Sequence, residues 1–422
     1  MNSPTSPLAA SPPKPLLERY AQVRARSERL CEPLATEDYV IQSMEDVSPP
    51  KWHLAHTSWF FENFILKPYH PNYREFHPKF NYLFNSYYET VGARHPRAQR
   101  GLLSRPTVEQ VYDYRRHVDR AMADFPLDDQ AEAAPLLELG LNHEQQHQEL
   151  LLTDLKHVLA TNPLQPVYRD RSAVSAQGPP LSWIDYPGGV RSIGASGDAF
   201  CFDNEGPRHE VLLQPFSLAS RLVTNAEYLA FIEDGGYRQP RLWLSLGWAA
   251  VQERHWESPL YWSRIDDGQW IEFTLAGPRP VDPAAPVSHV SFFEADAFAA
   301  WSDARLPTEA EWETASLAEP SETLSSGNFA DAELFAAQPA RDEAPAQLFG
   351  DLWEWTADPY TPYPGYRAAS GAVGEYNGKF MCGQYVLRGG SCATPLDHIR
   401  PTYRNFFAPD ARWQFSGIRL AR

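Results

Sequence analysis

Leu139-Gly-Leu-Asn-His-Glu-Gln-Gln-His-Gln-Glu-Leu-Leu-Leu152 reads as helix throughout, and its two histidines decide how the first half of the chain is to be understood. His143 and His147 stand four residues apart, so both imidazoles lie on one side of the helix, one turn from each other. Leu136, Gly140, Leu150, Leu151 and Val158 share that side, which points the histidines inward. Upstream, Trp52, His56, Trp59 and Phe60 form a second helical stripe with one histidine among aromatics. Imidazoles that meet across a helical bundle make a facial set of three nitrogens suited to iron, zinc or copper. The plainer alternative is a set of hydrogen-bonded core histidines.

Around that stretch, helical periodicity or composition predicts helices over 17–34, 47–66, 107–124 and 134–160, an up-down bundle of four. Thr107 is placed to cap the third, with the acidic Glu109 favouring the positive end of its dipole. The connection from 67 to 105 is too long for a turn, and long structured loops within compact domains are usually functional. After Thr161 the pattern changes. Asn162-Pro-Leu-Gln-Pro and Ala176-Gln-Gly-Pro-Pro read as a linker, followed by short apolar stretches cut by Gly, Pro, Asn and Asp, with helices expected over 225–234 and 292–303. The expected organisation is α+β: a disordered tail over 1–15, a metal-binding helical bundle over 16–162, a linker over 163–180, and a second, loop-rich domain over 181–422.

The 422 residues carry a formal charge of −17 with no Lys/Arg cluster, which argues against nucleic acid or an anionic membrane as partner. No apolar run reaches transmembrane length. The Ser/Pro/Ala-rich N-terminus lacks the apolar segment of a secretory signal. Cys31, Cys201, Cys382 and Cys392 are scattered without metal-type pairing, so a reducing, cytoplasmic setting is the expectation.

Five stretches of the second half carry a resemblance: Phe202-Asp-Asn-Glu-Gly-Pro-Arg-His-Glu-Val211, Leu222-Val-Thr-Asn-Ala-Glu-Tyr228, Arg305-Leu-Pro-Thr-Glu-Ala-Glu-Trp-Glu313, Gly350-Asp-Leu-Trp-Glu-Trp355 and Leu387-Arg-Gly-Gly-Ser391. They resemble the formylglycine-generating-enzyme or sulfatase-modifying-factor family, which implies a C-type-lectin-like fold. Only Cys392 follows the Arg-Gly-Gly-Ser segment, so the cysteine-pair chemistry of that family is expected to be absent. The first half resembles DinB-type helical bundles, which hold a metal with three histidines. In combination, the chain is similar to the ergothioneine-biosynthesis sulfoxide synthases, non-haem iron enzymes that join a sulfur to C2 of hercynine's imidazole. Asn81 to Arg100 and Arg400-Pro-Thr-Tyr-Arg-Asn-Phe-Phe407 look most like the branch that takes free cysteine. The related selenoneine synthases share the scaffold and take a selenosugar.

The resemblance implies iron(II) at His56, His143 and His147, with O2 as co-substrate. His53 competes with His56 for the ligand role; the aromatic stripe and the resemblance favour His56. The resemblance gives Gln146 a contact with hercynine and gives the Tyr87-Tyr88 pair, chiefly Tyr88, the role of donating a proton or hydrogen atom; aromatic packing is the alternative for both. Arg94, Arg97 and Arg100 are candidates for the donor's carboxylate, against simple solvation. Asn405, Phe406 and Phe407 fall where the resemblance brings the C-terminal strand to the bundle. Trp355 and these Phe rings are candidates for a cation–π face around hercynine's trimethylammonium. Three other readings stay open. His143-Glu-Gln-Gln-His147 fits a zinc-hydrolase pattern with Glu144 as base, a DinB-type thiol transferase would act without oxygen, and a lectin-like module with a structural metal would not turn over. The carboxylates of 351–354 and 203–205 could hold calcium, although hydrogen bonding within loops accounts for them as well.

Overall fold

The computed structural model describes residues 15–171, 176–197, 199–341 and 344–422. The expected disordered tail lies outside the described residues except for Pro15, which immediately precedes the first helix. The bundle consists of α1 (Leu16–Cys31), α2 (Pro50–Phe61), α3 (Val108–Ala123) and α4 (Ala133–Thr161). Proline sets two of the limits. Pro33 has no N–H with which to prolong α1, and Pro50 takes the first position of α2, where a missing N–H costs nothing. Thr107 caps α3 as expected. Its hydroxyl accepts from the Gln110 amide at 3.2 Å, and the Gln110 side chain accepts the Thr107 N–H at 2.9 Å.

Where α2 meets the long connection it widens into a π-turn, Glu62–Leu66. Glu62 is buried there and accepts the phenols of Tyr114 at 2.6 Å and Tyr73 at 2.7 Å. The connection itself folds into a short helix, Phe80–Phe84, and a 3-10 helix, Arg97–Leu102. The centre of the bundle is polar. Glu144 of α4 meets Arg24 of α1 at 3.0 Å and Arg115 of α3 at 3.1 Å, with apolar side chains from all four helices packed around this triad.

The second domain is built on a mixed sheet in spatial order β3-β2-β1-β4: β1 (Trp353–Pro359), β2 (Tyr385–Arg388), β3 (Asn405–Phe407) and β4 (Ser416–Gly417). β1 pairs antiparallel with β2 and parallel with β4, and β2 pairs antiparallel with β3. Its helices include the two expected, at Asn225–Glu233 and Phe292–Trp301, and two that the sequence reading missed, at Ser245–Arg254 and Glu309–Ala318. The last carries a start signal in plain view. Thr308 and Glu311 form a reciprocal capping box, as do Thr224 with Glu227 and Ser291 with Glu294.

α4 is also the face on which the second domain docks. Glu149 is buried and accepts from Trp353 Nε1 and from the Thr394 hydroxyl, both at 2.7 Å, and from Ser391. Gln145 donates to Asp397 at 2.6 Å, Asn142 meets His398 at 3.0 Å, and Lys156 meets His289 at 2.7 Å. One helix thus carries both the histidine pair and the seam between the domains. No helix among the described residues is long and apolar enough to cross a membrane.

Candidate active site

His56, from α2, and His143 and His147, from α4, converge in the bundle, each offering a ring nitrogen within 4.8 Å of the other two. His56 Nε2 faces His143 Nε2 at 3.2 Å. His56 Nδ1 lies 2.6 Å from the Phe84 carbonyl, a pure acceptor, so it carries the ring's proton and leaves Nε2 as a lone pair. Trp52 and Trp59 stack on the two faces of His56, at 4.5 and 5.5 Å between centroids, and hold its plane. Burial lowers the pKa of all three histidines. It takes His143 to about 3, and for His56 and His147 the neighbouring imidazoles lower it further. Three buried neutral rings bring their nitrogens together, and the buried His143 Nδ1 has no partner among the described residues. The residues present therefore fit a metal with nitrogen ligands.

Beside the cluster, where α4 meets β1 and β3, lies a cavity of about 490 Å³. His147, Trp52 and Gln146 line it from the bundle. Trp353, Tyr376, Tyr403 and Asn405 line it from the second domain.

The second domain matches the sulfatase-modifying factor enzyme 1-like domain over residues 172–343 and 343–422. A hercynine oxygenase of Mycolicibacterium thermoresistibile is 34% identical over 409 residues, which cover 89% of this chain and 87% of that protein. Those of Mycolicibacterium smegmatis and Mycobacterium tuberculosis are 34% and 32% identical, and cover 96% and 97% of this chain and 98% and 99% of their own length. The chain belongs to the hercynine oxygenase family.

Within that family frame the structure sorts the residues chosen from sequence. Gln146 is at the cavity, donating to the Tyr403 hydroxyl at 2.5 Å and accepting from Tyr376. Arg97, Arg100, Tyr87, Asn405, Phe406 and Phe407 also line it. Tyr87 packs edge-on to Phe380 at 4.9 Å. Tyr88 is buried on the bundle side, 5.4 Å from Trp59 and 5.1 Å from Phe64, and is not among the cavity's lining residues. Burial pushes its phenol up, with Tyr87 and Glu375 adding to the shift, so it keeps its proton.

Two assignments change. Trp355 is no part of a cation–π face: it is fully buried, its Nε1 donates to the Val290 carbonyl at 2.9 Å, and it packs on Phe292 in the second domain's core. Trp353 has the place at the cavity. Arg94 is half exposed, turned to the Ser86 carbonyl and to Glu89, and does not line the cavity. Glu144, the base that the zinc-hydrolase alternative requires, is committed elsewhere. It is held by Arg24, Arg115 and the Ser27 hydroxyl, on the side of α4 facing α1 and α3. The acidic loops are likewise occupied, Asp351 by Asn328 and the Gln338 amide, Glu354 by Arg419 and Trp312, and Asp203 by Tyr366 and Asn377.

The sequence reading missed Tyr376. Its ring lies 5.8 Å from that of His143 and its hydroxyl donates to Gln146, 230 residues away in the chain. No local pattern marks it. The segment that carries it is fastened to the long loop by Glu375, which accepts the Glu89 and Thr90 amides at 3.0 Å each.

Proposed function

We propose that this chain is an iron(II)- and O2-dependent oxidoreductase that couples C2 of hercynine to the sulfur of free cysteine. One C–H and one S–H are lost, a C–S bond forms, one oxygen atom stays on sulfur as the sulfoxide, and the other leaves as water. The observation that carries this reading is the set of three neutral imidazoles beside a cavity large enough for both substrates, in a chain related along its whole length to hercynine oxygenases. When bound to His56, His143 and His147, iron supplies the activation of O2 and leaves about three positions for ligands.

The remaining work falls to the chain's own groups. Gln146, fixed by Tyr403 and Tyr376, presents its carboxamide at the cavity wall to orient hercynine. Arg97 and Arg100 offer guanidinium N–H groups to the donor's carboxylate. Tyr87 and Tyr376, which line the cavity, and the buried Tyr88 are the phenols proposed to hold or release a proton; burial pushes those of Tyr88 and Tyr376 upward. The space beside the cluster argues against a module that binds without turnover.

The test is ferrous reconstitution followed by oxygen uptake with hercynine plus cysteine, with products followed by mass spectrometry. One iron per chain and a carbon–sulfur sulfoxide are expected, and His147→Ala should lose most of the iron. A carbon–selenium product formed from a selenosugar in excess cysteine would replace the donor but keep the rest of the reading. Full iron loading in His147→Ala would end the ligand assignment.

A further inference from the structure

His53 lies one turn before His56 on α2 and is buried, yet it stands outside the cluster of three. Its two ring nitrogens have different neighbours. Nε2 meets Asp154 Oδ2 at 3.0 Å, and Nδ1 meets His147 Nδ1 at 2.9 Å. The same Asp154 oxygen accepts the Ser48 backbone N–H at 2.8 Å, a group that only donates, so this oxygen is an acceptor in place. A neutral imidazole carries one ring proton, and an acceptor opposite Nε2 draws that proton to Nε2. His53 Nδ1 is then a lone pair, and the proton in the 2.9 Å contact belongs to His147 Nδ1. His147 Nε2 is left bare.

We propose that Asp154 and His53 form a two-link hydrogen-bond chain that holds His147 as its Nδ1–H tautomer and so presents Nε2 to the metal. His53 is a positioning residue rather than a fourth ligand. The proposal rests on the metal reading given above. It also distinguishes the three ligands. His56 has its tautomer fixed by a backbone carbonyl, which no substitution removes, whereas His143 has no partner on Nδ1 among the described residues. The tautomer of His147 depends on side chains, and partners of this kind orient a ligand ring and raise its basicity.

The metal-free protein, labelled with nitrogen-15, gives the direct readout. Long-range proton–nitrogen spectra should show His147 protonated at Nδ1 and bare at Nε2. In His53→Phe the preference should move toward Nε2–H, while His53→Gln, whose amide oxygen can accept from His147 Nδ1, should keep the wild-type pattern. Affinity for ferrous and cobalt ions, measured by chelator competition on variants whose melting is cooperative, should fall roughly 10–100-fold in His53→Phe and be largely retained in His53→Gln. An Nε2–H tautomer of His147 in the wild type, or a doubly protonated His53, overturns the proposal without any variant. Unchanged metal affinity in His53→Phe also overturns it and leaves the three-histidine site standing. Wild-type protein that binds neither ion overturns both.

Discussion

The guanidinium carbon of Arg100 lies 3.4 Å from the ring centroid of Trp52, the same tryptophan that stacks on His56. Arg100 is buried at the cavity wall. Its Nη1 meets the Ser48 hydroxyl at 2.8 Å, its Nε has no partner, and it forms no ion pair among the described residues. Burial lowers its pKa to about 9, which leaves it charged at neutral pH. A buried cation without a counter-charge is costly, and a carboxylate brought by a ligand removes that cost.

Arg100→Met should therefore raise KM for cysteine by about 10–100-fold, the equivalent of a charge-assisted hydrogen bond, while KM for hercynine changes little. Steady-state rates with each substrate varied in turn provide the check. A donor without a carboxylate, such as a selenosugar, would show no such penalty, so an unaffected donor KM would favour the sugar.

Glu144 supports a prediction about stability rather than catalysis. Burial alone would raise its carboxyl, but Arg24 and Arg115 carry it down from 4.5 to about 2. A folded-state pKa below the unfolded one contributes stability that is complete above about 4.5 and is lost as pH falls toward 2. Glu144→Gln should cost about 3 kcal/mol at neutral pH and flatten the acid limb of a denaturation curve, with metal content unchanged. Wild-type stability together with lost hydrolytic turnover would restore the zinc-hydrolase reading.

The contrast between what was and was not legible follows from local geometry. The i,i+4 histidines announce themselves because helical periodicity places them on one face, and the Trp52–Phe60 stripe brings in His56 for the same reason. The arginines were legible in principle. Arg97 and Arg100 lie in one 3-10 helix, where residues three apart eclipse, so they share a face, whereas Arg94 precedes that helix and turns to Glu89. Trp355 misled because it shares a strand face with Trp353. Two residues further along β1, the same face has left the bundle seam and entered the domain core. Tyr376 and the role of His53 are products of tertiary contact alone.

Tyr88→Phe removes one hydroxyl and leaves the packing on Trp59 and Phe64 in place, so stability and metal content should stay near wild type. If the phenol has the proposed role of proton or hydrogen donor after oxygen has entered, the products should shift from the sulfoxide toward the donor's sulfinic acid. Product ratios by mass spectrometry decide this. An unchanged ratio would move the role to Tyr87 or Tyr376, which face the cavity, and the same measurement on their phenylalanine variants would separate those two.

Hercynine should be turned over in preference to histidine. Trp353, Tyr376 and Tyr403 put aromatic surface on the wall that faces α4, and Phe406 and Phe407 extend it along β3. A trimethylammonium on such a surface gains roughly 1–2 kcal/mol, or about 5–30-fold, from cation–π attraction. The primary ammonium of histidine holds its water more tightly, so moving it onto that aromatic surface costs more. Competition between the two substrates in one vessel gives the ratio of their kcat/KM values directly. Equal consumption would remove the aromatic wall as the basis of recognition and place the chain beside synthases that act on histidine itself.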